Sequence, residues 1–311
     1  MISKKLLEEV MFDTIKKSSC FIPDDVKQGI KKAIKSAEKE ETKIAFKNTL
    51  ESLELSKKRK NLACPDTGWP LFFCKIGNEA KIEGGIMALE DIGGNMVAKA
   101  TKKGYLRSTM KHPLSGYDPG TNVGVNMPDF SYKFVPGSNL EITFVAKGGG
   151  SECFGGTRYR MIAFADGLEG IEKFIVDAFI ASGRAGAVCP PPILGIGIGG
   201  TANVATQIAK EAACLRTIKS RHPEANIADI EDNLYVELNK LGVGPMGSGG
   251  NTSVLSVNVE YSYTHLAGIA VATSTNCLVG RRATTRIYHN GETEELGNPD
   301  WFERSGNNDN L

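Results

Sequence analysis

The spacing of apolar residues along the first sixty positions predicts helices. The acidic pair Asp24 and Asp25 is typical of the first turn of a helix. From Val26 onward, apolar residues return at four-residue spacing, as they do on the buried face of a helix, and residues 40–55 continue this pattern. We therefore expect residues 1–60 to form a helical N-terminal segment.

Beyond residue 60, short apolar or alternating segments predict strands between further helices. Residues 140–146, Leu-Glu-Ile-Thr-Phe-Val-Ala, alternate as a half-buried strand does. Further strands are predicted at 71–76, 253–263, 268–273 and 284–289, and helices at 169–182, 201–218 and 226–241. Helices come first and no regular βαβ alternation follows, so the pattern predicts an α+β fold in which mixed sheets pack against helices. We expect a single domain over 1–311, with its functional core at 61–295.

Composition narrows the classes of function. The 311 residues include 37 basic and 36 acidic side chains, a net charge of +1 that argues against binding to nucleic acid or to an anionic membrane. The longest apolar runs fall short of the roughly 18 consecutive apolar residues of a membrane-spanning helix. Seven cysteines without a secretory leader disfavour a disulfide framework, so we expect a cytoplasmic protein.

Three cysteines lie in turns rather than on apolar faces. Cys64 stands in Ala-Cys-Pro-Asp-Thr-Gly, Cys189 precedes three prolines, and Cys277 ends Ser-Thr-Asn-Cys. A cysteine kept for packing usually lies on a helix or strand face, whereas a rigid turn presents its sulfur to something else. Three thiolates from distant loops suit an iron–sulfur cluster with one iron left for substrate. Of the other cysteines, we assign Cys74 and Cys214 to the core, and the role of Cys153 stays open.

The residues around these cysteines predict acid–base and anion chemistry. Asp66 stands two residues after Cys64 and is placed to act as a general acid or base; a purely structural turn is the alternative. The three glycines at 148–150 allow backbone N–H groups to surround an anion such as a substrate carboxylate, unless they only end a hairpin. Arg281 and Arg282 follow Cys277 and would offset the charge of a thiolate cluster or bind a carboxylate.

A glycine pattern at 195–200 offers a competing function. Gly195, Gly197 and Gly200 match G-x-G-x-x-G, the dinucleotide-binding pattern. The acidic residue expected about twenty positions later is missing, because residues 219–221 are Lys-Ser-Arg. We interpret the glycines as close packing of a helix on a strand, with Thr201 as the helix cap. A nucleotide-binding oxidoreductase is the alternative.

Several of these motifs, in this order, resemble one family. They are Cys64-x-Asp66-Thr67-Gly68, Tyr105-Leu106-Arg107, Gly148-Gly149-Gly150, Cys189-Pro190-Pro191, Gly195-x-Gly197-x-Gly199, Leu241-Gly-x-Gly-Pro245 and the segment around Cys277. From about residue 23 to residue 295 the chain resembles the class I, iron–sulfur fumarate hydratase and L(+)-tartrate dehydratase family. It is similar to the α subunit of the two-subunit forms, which corresponds to the N-terminal domain of the fused enzymes.

The resemblance implies a hydro-lyase that reversibly removes water from a small 2-hydroxy dicarboxylate. The reaction would convert L-tartrate to oxaloacetate or interconvert malate and fumarate. A [4Fe-4S] cluster with one open iron would be held by Cys64, Cys189 and Cys277. Substrate contacts would fall on Asp66, Thr67, Arg107 and Gly150, with Asp66 catalytic. The resemblance also implies a β subunit that carries further catalytic residues, in an α2β2 assembly.

Two details of the sequence bear on which substrate the protein would use. Residues 120–128 and the segment around Cys277 look more like tartrate dehydratase than like fumarase. Pro65 stands where the family usually has glutamine, so an amide that would contact the substrate is missing and the hydroxy-dicarboxylate stays open. A non-catalytic iron–sulfur sensor is a further alternative.

Overall fold

The computed structural model of the protein describes residues 1–153, 156–184, 188–218 and 220–302. Its helices are α1 (Lys4–Cys20), α2 (Asp24–Ser36), α3 (Glu40–Arg59), α4 (Met87–Lys102), α5 (Gly167–Arg184), α6 (Ala202–Leu215) and α7 (Ala225–Asn239). Its strands are β1 (Trp69–Gly77), β2 (Asp129–Val135), β3 (Leu140–Lys147), β4 (Thr157–Ile162), β5 (Ile193–Ile198), β6 (Ser256–Tyr261), β7 (Ile269–Asn276), β8 (Arg282–Ile287) and β9 (Thr293–Leu296). The predicted α+β class and helical N-terminal segment are confirmed. Residues 305–311, for which the sequence predicts a frayed tail, lie outside the described residues.

The first sheet has five strands in the order β2-β1-β3-β8-β9. Strand β1 runs parallel to β2 and antiparallel to β3, and β8 is antiparallel to both β3 and β9. Helices α1 and α4 pack together, and α1 lies against β3 and β8. Apolar side chains such as Met11, Phe72, Leu89 and Ile142 fill the core between these layers.

The second sheet has four strands in the order β4-β7-β5-β6, and α6 lies across it. A methyl group on Gly195 would lie 2.1 Å from the carbonyl oxygen of Ala209, and one on Gly197 would lie 2.1 Å from that of Ala205. Only glycine allows the helix to approach the strand so closely. The packing interpretation of this motif is therefore confirmed, and Thr201 is the N-cap residue of α6 without a capping hydrogen bond from its side chain.

The apolar pattern of the sequence did not predict helix α4 or strands β2, β4 and β9; β9 has no buried residue. Helix α4 contains Gly93 and Gly94, which weaken a helical signal, yet Gly93 lies directly against the rings of Phe72 and Phe130. Strand β2 has no fully buried residue, and the middle of β4 is exposed, so neither shows a clear apolar alternation.

Within the described residues, no helix is both long and apolar enough to cross a membrane.

Candidate active site

The ends of two sheets meet where the predicted site residues lie. In the second sheet, β5 begins just after the prolines that follow Cys189, and β7 ends just before Cys277. These strands are antiparallel neighbours, and Ile193 of β5 pairs with Asn276 of β7. The start of one strand therefore lies beside the end of the other, and both cysteines emerge at the same edge of the sheet.

The first sheet brings the other two motifs together in the same way. The Cys64 turn leads into β1, and the glycine turn follows β3. Trp69 pairs with Lys147 in this antiparallel pair, so the two turns are adjacent. Gly68 has φ +63°, and a methyl group there would lie 1.7 Å from the carbonyl oxygen of Lys147. Glycine is therefore required at position 68, because no other residue allows the two turns to pack so closely.

Direct contacts join the three cysteine turns. The backbone N–H of Leu278 donates to the carbonyl of Cys189 over 3.1 Å, which ties the Cys189 loop to the Cys277 turn. A methyl group built on Gly148 would lie 3.7 Å from the Cys277 sulfur, 3.7 Å from Oδ2 of Asp66 and 3.6 Å from Nη2 of Arg281. A thiol, a carboxylate and a guanidinium thus surround one point beside the glycine turn.

The glycine turn holds the carboxylate of Asp66. The N–H of Gly149 donates to Oδ2 over 2.6 Å, and the N–H of Gly68 donates to Oδ1 over 3.0 Å. The predicted anion-binding turn therefore has a carboxylate from the protein itself as its partner. Both oxygens are oriented by backbone groups of rigid turns, so the carboxyl group has a defined position beside the thiols.

Thr67 and Arg107 form one unit. The N–H of Arg107 donates to the Thr67 hydroxyl over 3.0 Å, and that hydroxyl donates to the Arg107 carbonyl over 3.4 Å. Thr67 is fully buried, whereas the Arg107 side chain is exposed and donates from Nη1 to the carbonyl of Pro65 over 2.9 Å. Thr67 thus fixes the backbone of Arg107, and Arg107 places its guanidinium next to the Cys64 turn.

A buried asparagine supports this unit from behind. Asn122 is 1% exposed, and its side-chain amide donates to the carbonyl of Arg107 over 2.7 Å and to Thr101 over 3.0 Å. Its Oδ1 accepts from the backbone N–H groups of Thr109 and Met110. The Gly, Pro, Asn and Asp residues at 115–128 predict a functional loop, but the sequence does not single out this asparagine, because polar loop residues give no signal of burial.

Electrostatic interactions also show that the three thiols are neighbours. Burial, followed by the charges of Cys277 and Cys64, raises the pKa of Cys189 to about 11. Burial also raises the pKa of Cys64, although the guanidinium of Arg281 acts in the opposite direction. The thiols of Cys64 and Cys189 therefore resist losing their protons, and coordination to a metal is what deprotonates such a thiol.

Arg281 is the most unusual side chain at this site. It is 1% exposed, and its three guanidinium nitrogens have no hydrogen-bond partner within the described residues. The adjacent Arg282 is also buried, and its Nε and Nη1 likewise have no hydrogen-bond partner within the described residues, but its Nη2 forms an ion pair of 2.7 Å with Asp25. A buried unpaired charge is costly, so Arg281 is suited to an anionic group bound beside the thiols. The sequence singled out both arginines but did not distinguish them.

A basic cavity opens next to the Cys64 turn. It has a volume of about 730 Å³, and its lining includes Pro65, Arg107, Lys60 and Lys103. Three cationic side chains around one cavity favour a small anion.

The remaining cysteines have other surroundings. Cys74 and Cys214 are fully buried in apolar clusters, which confirms their assignment to the core. Burial raises the pKa of Cys74 to about 12 and that of Cys214 to about 11. Cys153 is half-buried, and its backbone N–H donates to the carbonyl of Gly149. All seven cysteines carry free thiols.

The described residues contain no group of three or more His, Cys, Asp and Glu side chains arranged for a single metal ion. A cluster is a different case, because each thiolate binds a separate iron atom and the ligands stand around a wider centre. Three turn cysteines beside an unpaired arginine have the donor type and the charge that an iron–sulfur cluster requires.

The chain is similar to known proteins over most of its length. Residues 8–286 match the family model described as fumarate hydratase (Fumerase). The putative L(+)-tartrate dehydratase subunit alpha of Methanocaldococcus jannaschii is 35% identical, over 90% of this chain and 97% of its own length. The L(+)-tartrate dehydratase subunit alpha of Escherichia coli K12 is 32% identical, over 93% of each chain. The chain therefore belongs to the fumarate hydratase (Fumerase) family and is a hydro-lyase.

Proposed function

We propose that this chain is the α subunit of a [4Fe-4S]-dependent hydro-lyase that removes water from a small 2-hydroxy dicarboxylate. The observation that carries the proposal is the meeting of three cysteine turns beside Asp66 and an unpaired buried arginine. Cys64, Cys189 and Cys277 would hold the cluster. Their free thiols suit a reducing cytoplasm, which we propose as the location of the protein.

The cofactor supplies Lewis acidity when bound, which polarises the hydroxyl and a carboxylate of a 2-hydroxy acid. The protein residues then have separate tasks. Arg107 would bind a substrate carboxylate through its planar guanidinium, and we expect Gly150 to offer a backbone N–H to the same carboxylate. Thr67 acts through its two hydrogen bonds to Arg107.

Asp66 moves a proton near the departing oxygen. The hydroxyl of C2 leaves as water, and a proton leaves C3, so an alkene or an enol remains. The backbone N–H groups of Gly68 and Gly149 hold the two Asp66 oxygens and orient the carboxyl group for this transfer. We assign the base at C3 to a second polypeptide.

L-Tartrate is the substrate that we favour. The relatives described above are named as α subunits of L(+)-tartrate dehydratase. Residues 120–128 also resemble tartrate dehydratase more than fumarase. Loss of water from tartrate gives an enol that becomes oxaloacetate. Malate and fumarate form the second pair of candidates, because they share the two carboxylates that Arg107 and the basic cavity would attract.

A β subunit is the partner that we propose, in an α2β2 assembly. The word "alpha" in the names of the relatives indicates that those proteins have a second subunit. Turnover should therefore require a co-expressed β-type chain. Full activity of this chain alone, after anaerobic reconstitution with iron and sulfide, would contradict this part of the proposal.

The decisive experiment is an anaerobic substrate screen of the co-expressed pair. L-Tartrate, D-tartrate, malate, fumarate and methylated analogues are each assayed for oxaloacetate or for a change in alkene absorbance. We expect turnover of one hydroxy-dicarboxylate and its loss after exposure to air. An air-stable activity, or no activity on any of these acids in a pair that contains the cluster, would overturn the proposal.

The glycines at 195–200 do not support the alternative of a nucleotide-binding oxidoreductase. Gly195 and Gly197 face the backbone of α6 at packing distance, which accounts for them without a ligand. Saturable nucleotide binding that disappears in Gly197→Val, with the fold intact, would revive it. Membership of a hydro-lyase family favours an enzyme over a non-catalytic sensor.

A further inference from the structure

Arg281 holds a positive charge in a place where the described residues give it no counter-ion. None of its three guanidinium nitrogens has a hydrogen-bond partner among those residues, and solvent reaches only 1% of the side chain. Arginine keeps its proton at any ordinary pH, so the site cannot relieve the cost by deprotonation. A group that binds later must therefore supply the missing acceptors.

The direction in which this charge acts is defined by its neighbours. Nη2 of Arg281 and the sulfur of Cys277 both lie within 4 Å of one point on Gly148. Oδ2 of Asp66, two residues after Cys64, lies 3.7 Å from the same point, and the N–H of Leu278 donates to the carbonyl of Cys189. The guanidinium therefore lies beside the three cysteine turns.

We propose that Arg281 is the positioning residue for the cluster: its guanidinium donates hydrogen bonds to the cluster and its thiolates and offsets their negative charge. The inference rests on the proposed function, because it requires the cluster, and it adds a role for a residue outside the three ligands. Arg281 is almost inaccessible to solvent, so it acts on the cluster from inside the protein. The exposed Arg107 is left to bind the substrate.

Two consequences follow from this role. A nearby positive charge stabilises the more negative, reduced form of a cluster, so Arg281 raises its reduction potential. Without the cluster, the same charge is unpaired and destabilises the fold. Removing the charge should therefore have opposite effects on the iron-free chain and on the loaded chain, which a purely structural residue would not show.

The test uses the full chain, loaded anaerobically with iron and sulfide, and the variant Arg281→Met. We expect the iron-free variant to unfold at a higher urea concentration than the wild type. In the loaded variant, a chelator should remove iron roughly tenfold faster, a factor that corresponds to about 1.4 kcal/mol. The midpoint potential from an electron paramagnetic resonance titration should fall. Arg281→Lys should restore the potential toward the wild-type value, because it keeps the charge.

Arg282→Met is the matched control, because it changes the neighbouring buried arginine, at the start of β8, whose Nη2 already forms an ion pair with Asp25. It should lower the urea midpoint of the iron-free chain and leave the cluster potential unchanged. If Arg281→Met keeps both the wild-type potential and the wild-type rate of iron loss, the role proposed for Arg281 is contradicted, but the proposal that the chain binds a cluster is not. If the wild-type chain takes up no cluster at all, the proposed function itself fails.

Discussion

Three arginines within the described residues, Arg216, Arg281 and Arg282, are almost completely buried. Arg216 and Arg281 differ most in their hydrogen-bond partners. Arg216, between α6 and α7, is 6% exposed, and all three of its guanidinium nitrogens donate hydrogen bonds. They reach Glu231 over 2.6 Å, Glu260 over 3.3 Å, and the hydroxyl and carbonyl oxygens of Ser220. Arg281, at the cysteine turns, is 1% exposed and has no such partner within the described residues.

The difference separates a structural charge from a functional one. A buried arginine that is fully paired belongs to the fold and holds elements together, as Arg216 connects α7 to β6. A buried arginine without partners destabilises the protein unless a ligand completes it. Burial by itself therefore does not distinguish the two arginines, whereas the hydrogen-bond partners of their guanidinium groups do.

The largest effect should come from substitution of the three cysteines that would hold the cluster beside Arg281. We expect Cys64→Ser, Cys189→Ser and Cys277→Ser each to abolish the brown chromophore and to reduce activity to background, because each removes one anchor of the cluster. Cys74→Ser and Cys214→Ser, in the apolar core, should keep both. Absorbance spectra and iron content of the anaerobic proteins provide the measurement. A chromophore that survives all three of the first substitutions would overturn the ligand assignment.

Replacing Arg216 and Arg281 in turn by methionine tests the comparison directly. Arg216→Met removes the cation from the buried carboxylate of Glu231 and should destabilise the iron-free chain by about 3–5 kcal/mol. Arg281→Met should have the opposite sign. Urea unfolding measures the free energy of unfolding of both variants. An equal decrease in both would contradict the distinction between the two arginines.

The contact between the two turns of the first sheet should be nearly as sensitive. Gly68→Ala places a methyl group against the Lys147 carbonyl and should cost about 2–4 kcal/mol, as overpacking adds to the penalty of a positive φ. Gly85→Ala is the matched control, because Gly85 has φ +74° and open space around it. Urea unfolding should show the smaller loss in the control, and cluster content should fall only in Gly68→Ala.

The support behind Arg107 gives a smaller effect that separates binding from folding. Asn122→Ala removes hydrogen bonds to the Arg107 carbonyl and to two backbone N–H groups, which should cost about 1–3 kcal/mol. Substrate KM should rise more than kcat falls, because the role proposed for Arg107 is to bind the substrate rather than to react. Asn126→Ala, at the same φ of +58° but on the surface, is the control and should leave KM unchanged. An equal KM in both variants would contradict the positioning of Arg107.

The smallest effect concerns the charges beneath the glycine turn. Burial alone would raise the pKa of Glu152, but Lys147 and Lys210 outweigh it and hold the pKa below its ordinary value of 4.5. A carboxyl whose folded pKa is lowered stabilises the protein above its unfolded pKa, and that stability is lost as pH falls through the folded pKa. In Glu152→Gln, the free energy of unfolding should therefore depend less on pH in the acidic range. Identical urea midpoints of the variant and the wild type from pH 7 to pH 3 would contradict this.

The sequence by itself determined the fold class, the N-terminal helices and the core roles of Cys74 and Cys214. Those features depend on local apolar spacing, which a single chain displays directly. Apolar spacing did not predict α4, because its two glycines weaken a helical pattern. In the folded protein, Phe130 packs against Gly93. The same spacing did not predict β2 and β4 either, because exposed strands lack an apolar alternation. The cysteine turns were visible because proline and glycine leave a local signature.

Only the tertiary structure decided how those turns are combined. The pairing of Ile193 with Asn276 and of Trp69 with Lys147 brings four distant segments to one place, and such long-range register is not written in any local pattern. The same register separated Arg281 from its neighbour Arg282, which the sequence could not distinguish. Whether a buried charge has a partner depends on residues far away in the chain, so this property exists only in the folded protein.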